Sequence, residues 1–189
     1  MIETKNIQDV IKTIAINNPK IIGVDGINGA GKSCFTGILS SCIDYFYISL
    51  DDYVQNNMGG FANYINIPLL RHNLCGHKNI IIEGVCLLDA LINADISADM
   101  IIYIKRVKGI PTKYEWEDAE ELEYAGDVEE LIAKEDATQM FFDQSAVEFD
   151  GKEIPKEKSE ISALAKEIYR YHARVKPQRI ADIIFLRFA

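Results

Sequence analysis

A glycine-rich loop follows an apolar run near the start of the chain, in the stretch IIGVDGINGAGKS at residues 21–33. Gly26, Gly31, Lys32 and Ser33 satisfy the spacing G-x-x-x-x-G-K-[ST]. Glycines let the backbone curl so that successive N–H groups point inward, and the N-terminus of the next helix adds to the positive potential. The pattern therefore predicts a strand, a phosphate-binding loop and a helix over residues 32–42.

Other apolar stretches alternate with helix-like segments along the chain. We predict an amphipathic helix over residues 4–17 and an amphipathic helix before Lys176 and Pro177. Strands are predicted over residues 20–25, 45–50, 79–83, 99–105 and 181–188. Strands that alternate with helices are typical of a parallel sheet with helices on both faces. The prediction is one α/β domain over residues 1–189.

Residues 111–160 differ in composition from the rest. Between Glu115 and Glu160 lie 17 of the 29 acidic residues, with four lysines and no arginine. Thr112 and Glu115 form a capping box, Gly126 is placed to end that helix, and Asp127 with Glu130 looks like the start of another. We interpret this segment as a helical, lid-like insert. Its charge fits a solvated helical surface, and it also fits a mobile lid or a surface for a cationic partner.

Composition restricts the partners and the location. The net charge of −9 argues against a nucleic acid as partner, because neutralising phosphates requires clustered cations. No apolar run approaches the length needed to cross a membrane. The four cysteines are scattered, at positions 34, 42, 75 and 86, and we expect reduced, mostly buried thiols in a cytoplasmic protein. Self-association stays open.

The phosphate loop predicts the residues that contact a nucleotide. Lys32 can reach the β- and γ-phosphates, and the hydroxyl of Ser33 can bind Mg²⁺. The chain has no N-K-x-D motif, which a GTPase would need to read guanine. The expected nucleotide-binding residues are Gly26, Asn28, Gly29, Ala30, Gly31, Lys32, Ser33 and Cys34.

Two acidic elements follow the next two predicted strands. Asp51 and Asp52 end the second strand in ISLDDY, and Glu83 ends the third in IIIEG. Ligands of an open α/β sheet bind outside the carboxyl ends of its strands, so these acids should share one crevice with the loop. A carboxylate there can accept a proton from an attacking hydroxyl or hold Mg²⁺. Each acid could instead be a helix cap or an ordinary strand end.

Four stretches carry a resemblance to a known family: VDGINGAGKS, ISLDDY, IIIEGVCLLD and KPQRIADIIF. In this order and spacing they resemble the phosphoribulokinase/uridine kinase family of P-loop kinases, over roughly residues 20–105 and 165–187. The resemblance implies the three-layer P-loop NTPase sandwich, with five parallel strands in the order 2-3-1-4-5. It also implies phosphoryl transfer from ATP to a hydroxyl group of a small molecule.

The resemblance assigns roles to the acidic residues. It implies that Asp51 is the general base for the acceptor hydroxyl. Asp52 would be its neighbour, with a role in orienting groups of the site or in capping a helix. It implies that Glu83 lies near Mg²⁺, so that Ser33, Asp51 and Glu83 form the expected metal site. The aromatic residue after the acids, Tyr53, is expected to line the acceptor pocket.

The chain departs from the family at the lid. Uridine kinases carry arginines after the fourth strand, whereas this chain has the acidic insert there, with Lys105, Arg106 and Lys108 near its entrance. Transfer of a phosphoryl group depends on positive charge around that group. Arg170, Arg174 and Arg179 are candidates to supply it. The candidate substrate residues are Asp52, Tyr53, Arg71 and Arg106, and His72 stands beside Arg71.

Two functions of different classes remain at this point. The first is an ATP-dependent, uridine kinase-like enzyme whose acceptor is a nucleoside, another ribose-bearing metabolite or a vitamin-like alcohol. The second is a nucleotide-dependent binding or switch protein, with a phosphate loop but no phosphorylation of an acceptor. The missing lid arginines favour the switch, and the pair Asp51–Asp52 favours the kinase.

Overall fold

The computed structural model describes residues 1–55, 60–108, 120–121, 126–148 and 160–188. In this part of the chain the strands are β1 (Ile2–Thr4), β2 (Ile21–Asp25), β3 (Phe46–Ser49), β4 (Ile80–Glu83), β5 (Met100–Lys108), β6 (Glu120–Glu121) and β7 (Ile183–Phe188). The helices are α1 (Ile7–Asn17), α2 (Lys32–Cys42), α3 (Ile67–Leu74), α4 (Leu87–Asn93), α5 (Val128–Glu148), α6 (Ala163–Val175) and α7 (Pro177–Ile180). Short 3-10 helices span Leu50–Tyr53 and Ala62–Tyr64.

The strands form one sheet in the order β1-β7-β5-β2-β4-β3. These six strands are parallel, and β6 pairs antiparallel with the end of β5. The five strands that the sequence predicts lie in the implied order 2-3-1-4-5. Together with the loop between β2 and α2, this order is that of a P-loop kinase-like fold. The predicted number of strands is wrong, because β1 adds an edge strand beside β7.

The N-terminal helix is also shorter than predicted. Residues 2–4 pair with residues 183–185 of β7, and α1 begins only at Ile7. The side chain of Asn6 accepts a hydrogen bond from the N–H of Gln8 and caps the helix. A three-residue edge strand is too short to show a period of its own, so helical spacing from the following residues extended the prediction backwards.

Apolar side chains cover both faces of the sheet. Alternate residues of a strand point to opposite faces, and Ile81 packs with α1 and α2 whereas Ile80 and Ile82 pack with α3, α4 and α6. The first face includes Val10 of α1 among its buried residues. The second face includes Tyr171 of α6. The sheet is therefore the middle of three layers.

The strand register brings acidic residues to one edge. β2 lies between β4 and β5, and Glu83 at the end of β4 is level with Val24 of β2 and Ser49 of β3. The carboxyl ends of parallel strands meet at the same edge of a sheet. The phosphate loop leaves β2 there, beside Glu83.

The insert is described only in part. The carboxylate of Asp127 accepts hydrogen bonds from the N–H groups of Glu129 and Glu130, which confirms the predicted helix start. Helix α5 then contacts α6 through ion pairs of Lys166 with Asp136 (3.0 Å) and of Arg170 with Glu129 (2.8 Å). The predicted capping box at Thr112 and Glu115 lies outside the described residues.

The cysteines differ from their expected burial. All four are free, and only Cys86 is buried, whereas Cys34, Cys42 and Cys75 are exposed. The expectation of mostly buried thiols is therefore wrong. None of the helices in the described ranges is both long enough and apolar enough to cross a membrane.

Replacing Gly23 with alanine should destabilise the sheet. A Cβ atom at Gly23 would lie 2.8 Å from both Ile101 Cδ1 and Leu87 Cδ2. Overpacking of this kind costs about 1–3 kcal/mol of the free energy of unfolding. Gly37 is the matched control, because it lies in the exposed part of α2 with no atom within 4 Å of a Cβ. Gly37→Ala should stabilise by about 0.5–1 kcal/mol. Denaturant unfolding of both variants checks the pair, and equal effects would contradict the packing described for Gly23.

Candidate functional site

The shape of the phosphate loop requires glycine at two positions. Gly26 has φ +153° and Gly31 has φ +90°, values that L side chains rarely adopt. A Cβ atom at Gly26 would lie 2.7 Å from the carbonyl oxygen of Ile104. Between them, the N–H of Ala30 donates to the carbonyl of Ile27 (3.2 Å) and closes a turn. Gly26 and the fully buried Ala30 therefore shape the loop.

The start of α2 presents groups that attract phosphate. Gly31 is the N-cap of the helix and makes no side-chain hydrogen bond. The first N–H groups of α2 are therefore not capped by the side chain of the N-cap residue. Lys32 is buried, and its Nζ donates to the carbonyls of Gly26 (3.1 Å) and Ile27 (3.0 Å). Burial lowers the pKa of Lys32, and the negative charges of Glu83, Asp25 and Asp51 oppose this effect. The ammonium group of Lys32 therefore lies at the loop, within the electrostatic influence of three acids.

Three hydroxyl groups converge on one carboxylate oxygen. Glu83 is 1% exposed, and its Oε1 accepts hydrogen bonds from Ser33 Oγ (2.9 Å), Ser49 Oγ (2.8 Å) and Tyr47 OH (3.1 Å). Burial, and then the charge of Glu83, raises the pKa of Tyr47 to about 12, so this phenol stays a donor. A buried charge is stable only when its hydrogen-bonding capacity is met. The three donors hold Glu83 beside the phosphate loop.

Asp51 lies in the 3-10 helix that follows β3, at the rim of the same site. Partial burial raises the pKa of its carboxyl above the ordinary value. The charge of Glu83 raises it further, the ammonium group of Lys32 opposes the rise, and Asp52 adds to it. A carboxylate whose pKa is raised is a better proton acceptor for a hydroxyl than an ordinary one.

These groups open onto one cavity of about 530 Å³. Six predicted nucleotide-binding residues line it: Asn28, Gly29, Gly31, Lys32, Ser33 and Cys34. Asp51 and Glu83 also line it, together with Val54, Gly60, Phe61, Val85, Leu164 and Arg187. The tertiary structure thus brings the predicted loop and two predicted carboxylates into a single space.

The predicted metal residues fit a magnesium ion held together with phosphate. Ser33, Asp51 and Glu83 supply oxygen atoms, the donors that Mg²⁺ prefers. Ser33 Oγ donates its proton to Glu83, which leaves its lone pairs available to a cation. Within the described ranges no group of three or more His, Cys, Asp or Glu residues is arranged to hold a metal ion. Because Mg²⁺ commonly takes one or two protein ligands plus water and phosphate oxygens, this donor set suits a metal that arrives with a nucleotide.

Arg187 is a cation of the site that the sequence analysis missed. It lies near the end of β7, and its Nη1 donates to the carbonyl of Ala30 (3.0 Å). Its guanidinium carbon lies 2.6 Å from the position that a Cβ atom on Gly31 would take. Arg106, a predicted candidate, also reaches the loop, with Nη1 3.5 Å from the Cβ position of Gly29. No local motif marks Arg187, because only sheet pairing brings residue 187 to the loop.

A second missed group is a buried contact beneath the loop. Asp25 and Tyr171 are 0% and 1% exposed. Asp25 Oδ1 accepts from the N–H of Gly26 (2.7 Å), and its Oδ2 accepts from the Tyr171 hydroxyl. The same hydroxyl accepts from the N–H of Leu88 (3.2 Å). Complete burial raises the pKa of Asp25 to about 7, although Tyr171, Gly26 and Lys32 pull it down.

Several predicted residues lie away from the cavity or hold other partners. Tyr53 is buried, and its hydroxyl accepts from Asn73 Nδ2 (2.9 Å), so the structure does not bring it to the cavity wall. Arg71 donates to the carbonyl of Ala94. Asp52 and His72 are exposed outside the lining, and Arg179 is exposed on α7. Arg170 pairs with Glu129, and Arg174 pairs with Asp89.

Comparisons with known proteins add little to this geometry. The sequence matches no protein-family model, and no curated protein matches it. Among solved structures, the chain is similar to a protein described as a possible uridine kinase from Bacillus stearothermophilus. The two are 13% identical, with a TM-score of 0.48, over 95% of this chain and 98% of the other. At that identity and TM-score the likeness says nothing of function. The fold assignment rests on the strand order and the phosphate loop.

Replacing Asp25 with asparagine should change how stability depends on pH. The pKa of Asp25 is about 7 in the folded protein and near 3.8 when unperturbed, so between these values only the folded chain holds the proton. The wild-type protein should therefore lose stability as pH rises through this range, by up to about 1.4 kcal/mol per pH unit relative to Asp25→Asn. Denaturant unfolding of both proteins from about pH 5 to about pH 8 measures the difference. A difference that does not change with pH would show that Asp25 titrates in its ordinary range.

Proposed function

We propose that the protein is an ATP-dependent kinase that phosphorylates a hydroxyl group of a nucleoside or another small metabolite. The observation that carries the proposal is the position of Asp51, which lines the same cavity as Lys32 and Ser33 of the phosphate loop. A protein that only binds a nucleotide has no need of a proton acceptor there. The P-loop kinase-like fold and the acidic pair after β3 support the same assignment.

The proposed reaction is an in-line displacement at the γ-phosphorus of ATP. The acceptor oxygen forms a bond to phosphorus, the bond to the β,γ-bridging oxygen breaks, and ADP leaves with that oxygen. The acceptor proton passes to the carboxylate of Asp51. The phosphate loop and Lys32 hold the phosphates in place, since positioning and charge supply most of the catalysis in such reactions. Mg²⁺, held by Ser33 and Glu83, would neutralise phosphate charge.

The missing lid arginines have a structural counterpart. Lys32 and Arg187 both line the cavity, and Arg106 lies beside Gly29. These cations come from α2, β7 and β5, that is, from the central sheet and a helix packed on it. We infer that they supply the positive charge that uridine kinases take from a lid, because charge held in place before the reaction stabilises developing negative charge at little reorganisation cost.

A switch function is supported by one specific observation. Helix α5 of the acidic insert is joined to α6 by the ion pairs of Lys166 and Arg170. Helix α6 is joined in turn to the base of the phosphate loop through Tyr171 and Asp25. A nucleotide that shifts the loop would therefore be linked to the insert. This role does not require an acceptor, and it is the second candidate.

Replacing Asp51 with asparagine should abolish transfer but not nucleotide binding. The amide cannot take the acceptor proton, so the transfer rate should fall by at least about 100-fold while the affinity for MgATP stays close to that of the wild type. Transfer of labelled γ-phosphate from MgATP to nucleosides, sugars, pantothenate-like alcohols and amino-alcohols measures the reaction.

Asp52→Asn is the matched control, because Asp52 carries the same charge one residue away and is exposed outside the cavity lining. It should retain most of the activity. Equal losses in the two variants would contradict the role of Asp51. Tight binding of MgATP with no transfer to any acceptor in the wild type would favour the switch.

Replacing Arg187 with alanine should weaken nucleotide binding. Loss of a charged hydrogen-bonding group at the phosphate loop should raise the Kd for MgATP by about 10-fold to 100-fold. Arg179→Ala removes the same charge from an exposed position on α7 and should change the Kd little. Calorimetric titration of both variants with MgATP compares them. If both changes weaken binding equally, Arg187 acts only through net charge.

A further inference from the structure

The cavity has two chemically different ends. The nucleotide end is formed by the phosphate loop with Lys32 and Arg187. The other lining residues follow β3 and β4, which lie across β2 from β7 in the sheet, or belong to α6. They are Gly60 and the apolar side chains of Val54, Phe61, Val85 and Leu164, and we call them the acceptor end. Under the proposed function, ATP occupies the first end. The second end is then the place for the acceptor.

The apolar end is held in position by Glu167 of α6. Its two carboxylate oxygens accept hydrogen bonds from the backbone N–H groups of Phe61 (2.7 Å) and Ala62 (3.0 Å). One helical turn later, Tyr171 ties α6 to Asp25 below the phosphate loop. The wall of the acceptor end is thus fixed relative to the loop. Because its oxygens are engaged by the backbone, Glu167 contributes structure to this wall.

The charge at the acceptor end is negative. Among the described residues that line the cavity, the charged side chains besides Lys32 and Arg187 are the acids Asp51 and Glu83. No lysine, arginine or histidine of the described lining lies at this end.

Four cations of α3 and α6 have partners outside this cavity. Arg71 donates to the carbonyl of Ala94, at the end of α4. Lys166, Arg170 and Arg174 line a separate cavity of about 610 Å³ on the other side of Gly60. They pair there with acids: Asp136 and Glu160, Glu129, and Asp89 respectively.

We propose that the acceptor is an uncharged or cationic alcohol with an apolar face, and that the site rejects alcohols which already carry a phosphate or a carboxylate. An anionic acceptor would lose its hydration beside Asp51 and Glu83, and among the described lining residues it would find no counter-ion other than the two cations at the phosphate loop. The anionic acceptor would also be repelled by the phosphates of ATP, and these phosphates would already be paired with Lys32 and Arg187. The inference rests on the proposed function and narrows its substrate class.

The test compares pairs of acceptors that differ at one group, which is uncharged or cationic in one member and anionic in the other. Suitable pairs are pantothenol against pantothenate, aminopropanol against hydroxypropionate, and a nucleoside against the same nucleoside phosphorylated on a secondary hydroxyl. For any pair of which one member is a substrate, kcat/KM should be at least about tenfold higher for the uncharged or cationic member. A higher value for the anionic member, or equal values, would overturn the proposal.

A charge-introducing variant tests the cause of the preference. Leu164→Lys places a cation at the acceptor end and should raise kcat/KM for the anionic member relative to the neutral one by about tenfold. Ala173→Lys is the matched control, since it adds the same charge to an exposed position on the same helix. It should leave the ratio unchanged. Thermal unfolding of both variants shows that they are folded, and an unchanged ratio in a folded Leu164→Lys protein would contradict the proposal.

Failure of the proposed function can be told apart from failure of this inference. If the wild type transfers phosphate to no acceptor, the same ligand pairs are titrated calorimetrically in the presence of a non-hydrolysable MgATP analogue. Tighter binding of the uncharged or cationic members would then support the inference although the kinase assignment had failed. Tighter binding of the anionic members would overturn it whatever the activity.

Discussion

The arrangement of the site depends on a buried carboxylate, Asp25, at the end of the central strand. One of its oxygens holds the first amide of the phosphate loop, and the other holds the hydroxyl of Tyr171 on α6. The same helix carries Glu167, which fixes the backbone at Phe61 on the far wall of the cavity. A buried acid of this kind is costly unless it is well hydrogen-bonded. Asp25 meets this requirement and joins the phosphate loop to α6, so both walls of the cavity are positioned through that helix.

The distribution of charge sets the chemistry that the cavity can support. Its cations, Lys32 and Arg187, lie at the phosphate loop, and its acids, Asp51 and Glu83, lie after β3 and at the end of β4. This division suits a donor rich in negative charge and an acceptor without it. The acidic insert contains no arginine between residues 115 and 160. Its helix α5 is attached to α6 by ion pairs to Lys166 and Arg170.

Local sequence signals predict part of this fold and site, and strand pairing and helix packing alone decide the rest. The bounds of α2 and the edge shared by the loop, Asp51 and Glu83 were predictable, since strong apolar runs and a glycine motif mark them. The strand β1 was missed because three residues carry no period. Tyr53 follows the acidic pair at the position expected of a residue that lines the acceptor pocket. Its side chain is instead buried in the core, and its hydroxyl accepts a hydrogen bond from Asn73. Residue spacing alone does not tell a buried tyrosine at this position from one that lines the cavity.

By itself the sequence determined the alternation of strands and helices, the phosphate loop and the acids at two strand ends. These features are local, because each depends on residue type and on neighbours within one turn or one strand. Only the tertiary structure decided that Arg187 lies on the loop, that Tyr171 holds Asp25, and that Glu167 fixes the wall at Phe61. These contacts join residues more than a hundred positions apart. They arise from sheet register and from the packing of α6, which no local pattern encodes.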